Sequence, residues 1–161
     1  MIAPLVALLV TLGFMAAIWL ASVRLRNASI VDIFWGAGFV VGAWVYLALA
    51  GGESVRGWLI VSLVTLWGLR LSIHLFVRNH GKGEDYRYRE MRERHGARFW
   101  WVSFFTVYLL QGVIMWFVGL PLWVATRTPP TQVDSGLAQV DGLGIAIYRI
   151  CCFFRSVLRT G

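Results

Sequence analysis

The chain has 161 residues, of which 58% are hydrophobic and only 14% charged, with a mean hydropathy of +0.68. Soluble domains carry about a quarter charged residues, so this composition excludes an ordinary soluble globular domain. Fifteen Lys and Arg against eight Asp and Glu leave a net charge of +7 and a pI near 10.3, but the basic residues cluster between apolar runs, which argues for membrane topology and against nucleic acid as a partner.

The first apolar run, Ile2 to Val23, has no charge and is followed directly by Arg24 and Arg26. About 20 such residues span a hydrocarbon core, and no basic residue precedes the run to make it a signal peptide. The second run, Ile30 to Ala50, contains one charge, Asp32, and Gly51-Gly52-Glu53-Ser54 follows as a turn. The third, Val55 to Val77, carries Arg70 and His74 in its second half. The fourth, Phe99 to Ala125, is rich in Trp and Phe and is broken late by Pro121. Thr126 to Gln139, with Pro129-Pro130, reads as a loop, and Leu143 to Phe154 is a short apolar stretch interrupted by Arg149. The expected fold is all-α, a polytopic transmembrane helical bundle of four spanning helices plus an incomplete fifth. Residues 1–161 form one domain, with a basic loop at 78–98 and an atypical tail at 143–161.

Loop charge sets the orientation. Seven Lys and Arg lie between Arg78 and Arg98 and two, Arg24 and Arg26, in the first loop, while the other two loops hold Arg56 and Arg127 alone. Basic residues stay on the cytoplasmic side, so the first and third loops belong inside and the N-terminus outside. Trp58, Trp100, Trp101 and Trp123 fall at helix ends, as an interfacial aromatic belt requires.

Ionisable groups at membrane depth are costly and default to functional hypotheses. Arg70, His74 and Arg78 recur at i, i+4 and i+8 and share one helix face, with Trp67 one turn above. That face is expected to turn inward, with Arg70 opposite Asp32 at similar depth; a structural ion pair with side chains reaching to the interface is the alternative. In the third loop, Asp85 with Arg89 and Glu90 with Arg94 are i, i+4 pairs that predict a helix over 84–95, stopped by Gly96 and presenting Tyr88, Met91 and His95 on one side. It is either a solvated helix or a basic lid over an anionic cofactor or lipid. Gln111 in the fourth run is expected to hydrogen-bond another helix. Gly81-Lys82-Gly83 lacks the spacing and the Ser or Thr of a phosphate-binding loop, Glu84-Asp85 has no spaced ligand partner, and no metal site is expected. Cys151 and Cys152 are adjacent and imply no disulfide framework.

Four segments carry a resemblance: Ser29-Ile30-Val31-Asp32-Ile33-Phe34-Trp35-Gly36, Leu66-Trp67-Gly68-Leu69-Arg70-Leu71, Gly83-Glu84-Asp85-Tyr86-Arg87-Tyr88, and Phe104-Phe105-Thr106-Val107-Tyr108-Leu109-Leu110-Gln111-Gly112. In this order, over Asn27 to Leu122, the chain resembles a bacterial membrane family related to steroid 5-alpha-reductases and, more distantly, to isoprenylcysteine methyltransferases. The resemblance implies a bacterial inner-membrane, NADPH-dependent reductase of a conjugated double bond in a steroid-like or isoprenoid lipid. Asp32, Tyr46 and Tyr108 are the candidates for polarising the substrate. Arg70, His74, Lys82, Arg87 and Arg89 are the candidates for holding the cofactor phosphates. The relatives run on through further helices and an Arg-His-Pro-x-Tyr segment; no Arg-His-Pro occurs here, and the ending from Tyr148 reads as a truncation. The other reading is a non-catalytic membrane module that binds lipid or a partner subunit.

Overall fold

The computed structural model describes residues 2–51 and 55–126, and every element among them is helical. The order is α1 (Ile2–Leu25), α2 (Ile30–Ile33), α3 (Trp35–Leu49), α4 (Val55–Asn79), α5 (Tyr86–His95), a 3-10 turn (Gly96–Arg98), α6 (Phe99–Ser103), a π-helical segment (Phe104–Leu109) and α7 (Leu110–Thr126). Helices α1, α4 and the run ending in α7 are long and apolar enough to cross a membrane. Large apolar side chains such as Leu9, Leu20, Leu66, Ile73, Phe117 and Val124 stand outward on them, where a soluble protein would put charge. This is a membrane protein whose surface is built to meet lipid.

The second apolar run is not one continuous helix: it breaks at Phe34 into the four-residue α2 and the 15-residue α3. At 1.5 Å per residue α3 alone covers about 22 Å, short of the roughly 30 Å of hydrocarbon, so three helices and not four meet the length criterion. Pro121 also fails to break the last helix, which runs through it to Thr126. The expected fifth stretch and the 143–161 tail lie outside the described residues.

Helix α3 occupies the centre, packed against α1, α4 and α7, while α1 and α7 also pack on each other. Its crossing with α4 is made by two glycines. A Cβ on Gly36 would run into the Gly68 carbonyl, and one on Gly68 into the Gly36 carbonyl, so the two backbones meet directly. Beside them the Ala37 N–H donates to Ser72 Oγ at 3.1 Å, giving an otherwise orphaned donor in the first turn of α3 a partner on α4. The core between α1, α3 and the last helix is built from Met15, Ile18, Val31, Phe39, Val107, Tyr108 and Met115.

The basic loop is ordered by capping. Asp85 is the N-cap of α5, its carboxylate accepting from the Arg87 N–H at 3.0 Å, and Gly96 ends the helix with φ +52°. Glu90 pairs with Arg94 as the spacing predicts, at 3.0 Å, but Asp85 takes Arg87 in place of Arg89. Tyr88 is buried and Met91 half-buried against the bundle, so α5 lies on the protein and does not stand free in solvent.

Candidate functional site

Three of the four segments singled out in the sequence converge where α5 docks. The hinge between α1 and α2 presents its backbone to the loop: the Ala28 N–H donates to Glu84 Oε1 at 2.7 Å, and the Asp85 N–H donates to Ser29 Oγ at 2.6 Å. Arg92 completes a clasp. It donates to Glu84 through Nε at 3.1 Å and Nη2 at 2.8 Å, and Nη2 also reaches the Arg26 carbonyl at 3.2 Å. Its guanidinium lies 4.4 Å from the ring centroids of both Phe99 and Trp100, so the cation is held between two aromatic faces. Arg26 adopts φ +52° at this turn, unusual for a residue with a side chain, and its carbonyl is thereby turned to the clasp.

Above the clasp sits a polar cluster at the edge of the apolar bundle. The Tyr88 hydroxyl donates to Asp32 Oδ1 at 3.2 Å, and Arg87 Nη2 donates to Asp32 Oδ2 at 3.2 Å. Gln111 lies beside the same phenol and accepts from the indole N–H of Trp35 at 2.8 Å. Tyr108, fully buried, donates to the Ala28 carbonyl at 3.0 Å. Tyr108 lies in the π-helical segment and Gln111 just after it. The extra residue in that turn resets the face of the last helix, a feature frequent at functional sites. Burial, with the Asp32 carboxylate beside it, pushes the Tyr88 phenol well above the usual tyrosine range, so it keeps its proton at any physiological pH. Hydrogen bonds from the Arg87 side chain and backbone hold the Asp85 carboxyl below the usual range, and Arg87 is correspondingly held cationic.

The depression at Asp85 has a testable consequence. A carboxyl with a lowered folded-state pKa stabilises the fold above its unfolded value of about 4, and that contribution is lost as pH falls through the lower folded one. Acidification below about pH 4 is therefore expected to release the Arg87 amide, read as lost protection at the start of α5 once its exchange is compared with the intrinsic rate at the same pH. Asp85→Asn should remove that pH dependence. Retention of the pH dependence in the variant would place its origin elsewhere.

Asp32, Tyr108 and Arg87 come together here, with Lys82 and Arg89 exposed on the same loop. Arg70 does not join them. It stands exposed on α4, and the expected Asp32–Arg70 pair is replaced by Asp32–Arg87. The reason is that the loop folds back over the end of the bundle and brings a cation to Asp32 from outside the membrane, a cheaper arrangement than burying a second charge in it. His74 is half-buried on α4. Tyr46 is buried near the far end of α3, fourteen residues from Asp32, or about 20 Å along the helical path. The residues that sequence reasoning missed as site members are Tyr88, Glu84 and Arg92. Tyr88 had a signal, a tyrosine on the apolar side of a charge-dense helix; Glu84 and Arg92 had none beyond their charge.

The family comparison bears on residues 18–157, which match the model described as "Protein of unknown function (DUF1295)". The chain belongs to the DUF1295 family. The match extends beyond Asn27 to Leu122 in both directions and takes in residues 143–157, so the stretch read as atypical also falls within the DUF1295 pattern. No curated protein and no solved structure matches the chain. Among the described residues no group of three or more His, Cys, Asp or Glu is placed to hold a metal ion.

Proposed function

We propose that this chain is a membrane-embedded, NAD(P)H-dependent reductase acting on a conjugated double bond of a steroid-like or isoprenoid lipid. The observation that carries the reading is the Tyr88–Asp32–Gln111 cluster, a proton-bearing phenol held where a cationic loop meets an apolar bundle. Its support is that the segments resembling the steroid 5-alpha-reductase relatives supply it: Asp32 from the first, Arg87 and Tyr88 from the third, Gln111 from the fourth. The second contributes Gly68, which fixes α4 against α3 next to the hinge.

NADPH, when bound, supplies the hydride. Lys82 and Arg89, exposed beside the cluster, fit its phosphates, while Arg87 is already shared between Asp85 and Asp32. The chain's own part is to polarise the carbonyl conjugated with the double bond. A carbonyl oxygen lying against Tyr88 accepts the phenolic hydrogen bond that Asp32 now holds. As hydride adds to the β-carbon, the double-bond electrons move onto that oxygen, and Tyr88 stabilises the charge where it develops. A proton taken up at the α-carbon completes the reduction. Asp32, which gives up that bond, keeps its pair with Arg87, and Gln111 acts as the positioning residue beside the phenol.

One observation favours the other reading, a non-catalytic module: the cluster's groups are satisfied by one another, as in a latch. Energy transfer from tryptophan to NADPH, measured on the full chain in nanodiscs, separates the two. The reductase reading expects saturable transfer, weakened about tenfold when Lys82 and Arg89 are both neutralised, since each lost charge-assisted contact is worth about 1.5–3 kcal/mol before solvent screening reduces it. Transfer that never saturates would leave the module as the function.

A further inference from the structure

Tyr46 and Thr11 play no part in the loop-side cluster. Tyr46 is 2% exposed and Thr11 3% exposed, and both line one small cavity between α1, α3 and α7. Among the described residues neither hydroxyl forms a hydrogen bond, whereas Ser22 on α1 bonds the Trp19 carbonyl and Thr126 on α7 the Trp123 carbonyl. A hydroxyl that opens on an apolar cavity without a partner is costly, because lipid offers it nothing. Two such residues bordering one cavity point to a polar ligand atom within it.

The cavity holds about 10 Å³, close to the room of a single water molecule or one oxygen-bearing group. Beyond it the helices stay apart. Cβ atoms added to Gly42 or to Gly119 would meet nothing within 4 Å, and both glycines line the same space. Toward the loop side the slot is closed by the Met115 thioether, which lies over Gly38 and is flexible enough to withdraw. The surroundings are uncharged: the lining residues carry no ionisable group other than the Tyr46 phenol. A charged head would find no counter-charge there, whereas a hydroxyl or carbonyl oxygen would find a donor on each side.

We infer that Tyr46 and Thr11 form a second polar site that takes the hydroxyl or carbonyl oxygen of an uncharged lipid, whose apolar body lies along the opening at Gly42 and Gly119. The inference deepens the reductase reading and rests on it for the statement that this lipid is the substrate. Tyr46 and Tyr88 then hold opposite ends of one long molecule and are not rivals for one proton transfer.

The test is equilibrium binding of tritiated farnesol to the full chain in nanodiscs without NADPH, with the hydrocarbon farnesene as the oxygen-free control. Tyr46→Phe is expected to weaken farnesol binding about tenfold and to leave farnesene binding unchanged, the loss of one buried hydrogen bond with its partner left unpaired. Thr11→Val should act in the same direction and serves if Tyr46→Phe fails to fold. Gly42→Leu, which fills the opening, should abolish binding of both probes while the melting temperature holds. Farnesol affinity unchanged in both hydroxyl variants would overturn the inference and leave an ordered water as the occupant. So would absence of farnesol binding by the parent chain. Because the measurement involves no cofactor and no turnover, a chain that binds farnesol but not NADPH keeps the site and loses only the reductase reading.

Discussion

Replacing Glu84 with alanine is expected to unfasten the basic loop and to lower stability by about 3 kcal/mol, a drop of roughly 10 °C in melting temperature for a domain of this size. The Glu84 side chain is 11% exposed and its carboxylate satisfies both the Ala28 N–H and the Arg92 guanidinium. Without it, Arg92 remains between Phe99 and Trp100 with its charge unmet, and a backbone donor of the hinge loses its partner. Breaking a largely buried pair by removing one partner is the expensive case, because the surviving charge bears the full desolvation cost. The comparison is Glu90→Ala. Glu90 and Arg94 are both mostly exposed, and a solvent-screened pair of that kind contributes well under 1 kcal/mol. Melting curves in one detergent, together with limited proteolysis between α4 and α5, read both variants. Equal shifts for the two would mean the clasp has no special hold on the loop.

That clasp also shows what the sequence could and could not disclose. The loop helix is legible, since its i, i+4 pair at Glu90–Arg94 and the stop at Gly96 are local signals that need no partner from elsewhere. The membrane character is legible because runs of about 20 uncharged apolar residues match the thickness of the hydrocarbon core. Asp32 stands out as a lone carboxylate near the start of an apolar run, yet its partner does not. Matching depth on consecutive helices points to Arg70, and nothing in the sequence says that residues 55 positions further on will fold back to supply Arg87. The break at Phe34 is hidden for the same reason: the apolar pattern runs through it without a proline to mark it. The π-helical turn at Phe104–Leu109 leaves no periodic trace in a segment apolar on nearly every side, although it positions Tyr108 and Gln111. Gln111 is legible as an interhelical hydrogen-bonder, and its bond to Trp35 is that bond. Tyr46 is legible as a polar group within an apolar run, but not its place in the cavity with Thr11, which the packing of α1 on α3 sets.

The glycines of α3 should respond to enlargement in a graded order, largest at the crossing with α4. Gly36→Ala puts a Cβ against the Gly68 carbonyl, and neither atom belongs to a side chain that can rotate away. The helices must part, which loosens the Ala37–Ser72 bond and takes α4 off its main support. The expected cost is about 3 kcal/mol, the upper range for forced overpacking, and Gly68→Ala should match it because its Cβ meets the Gly36 carbonyl and Val40. Gly38→Ala meets chiefly the Met115 thioether, the far end of a flexible chain, and should cost about 1 kcal/mol or less. Gly42→Ala meets nothing within 4 Å and should change stability by under about 0.5 kcal/mol, or raise it, since alanine has the better helix propensity. Thermal unfolding of the four variants in one detergent orders them. The same crossing sets the first turn of α3, directly after the short α2 that carries Asp32, so Gly36→Ala should also weaken the docking of α5 and raise protease access to the loop. A flat series, with Gly36→Ala no worse than Gly42→Ala, would mean α4 is held by something other than this backbone contact, and the link from the helix crossing to the Tyr88–Asp32 cluster would fall with it.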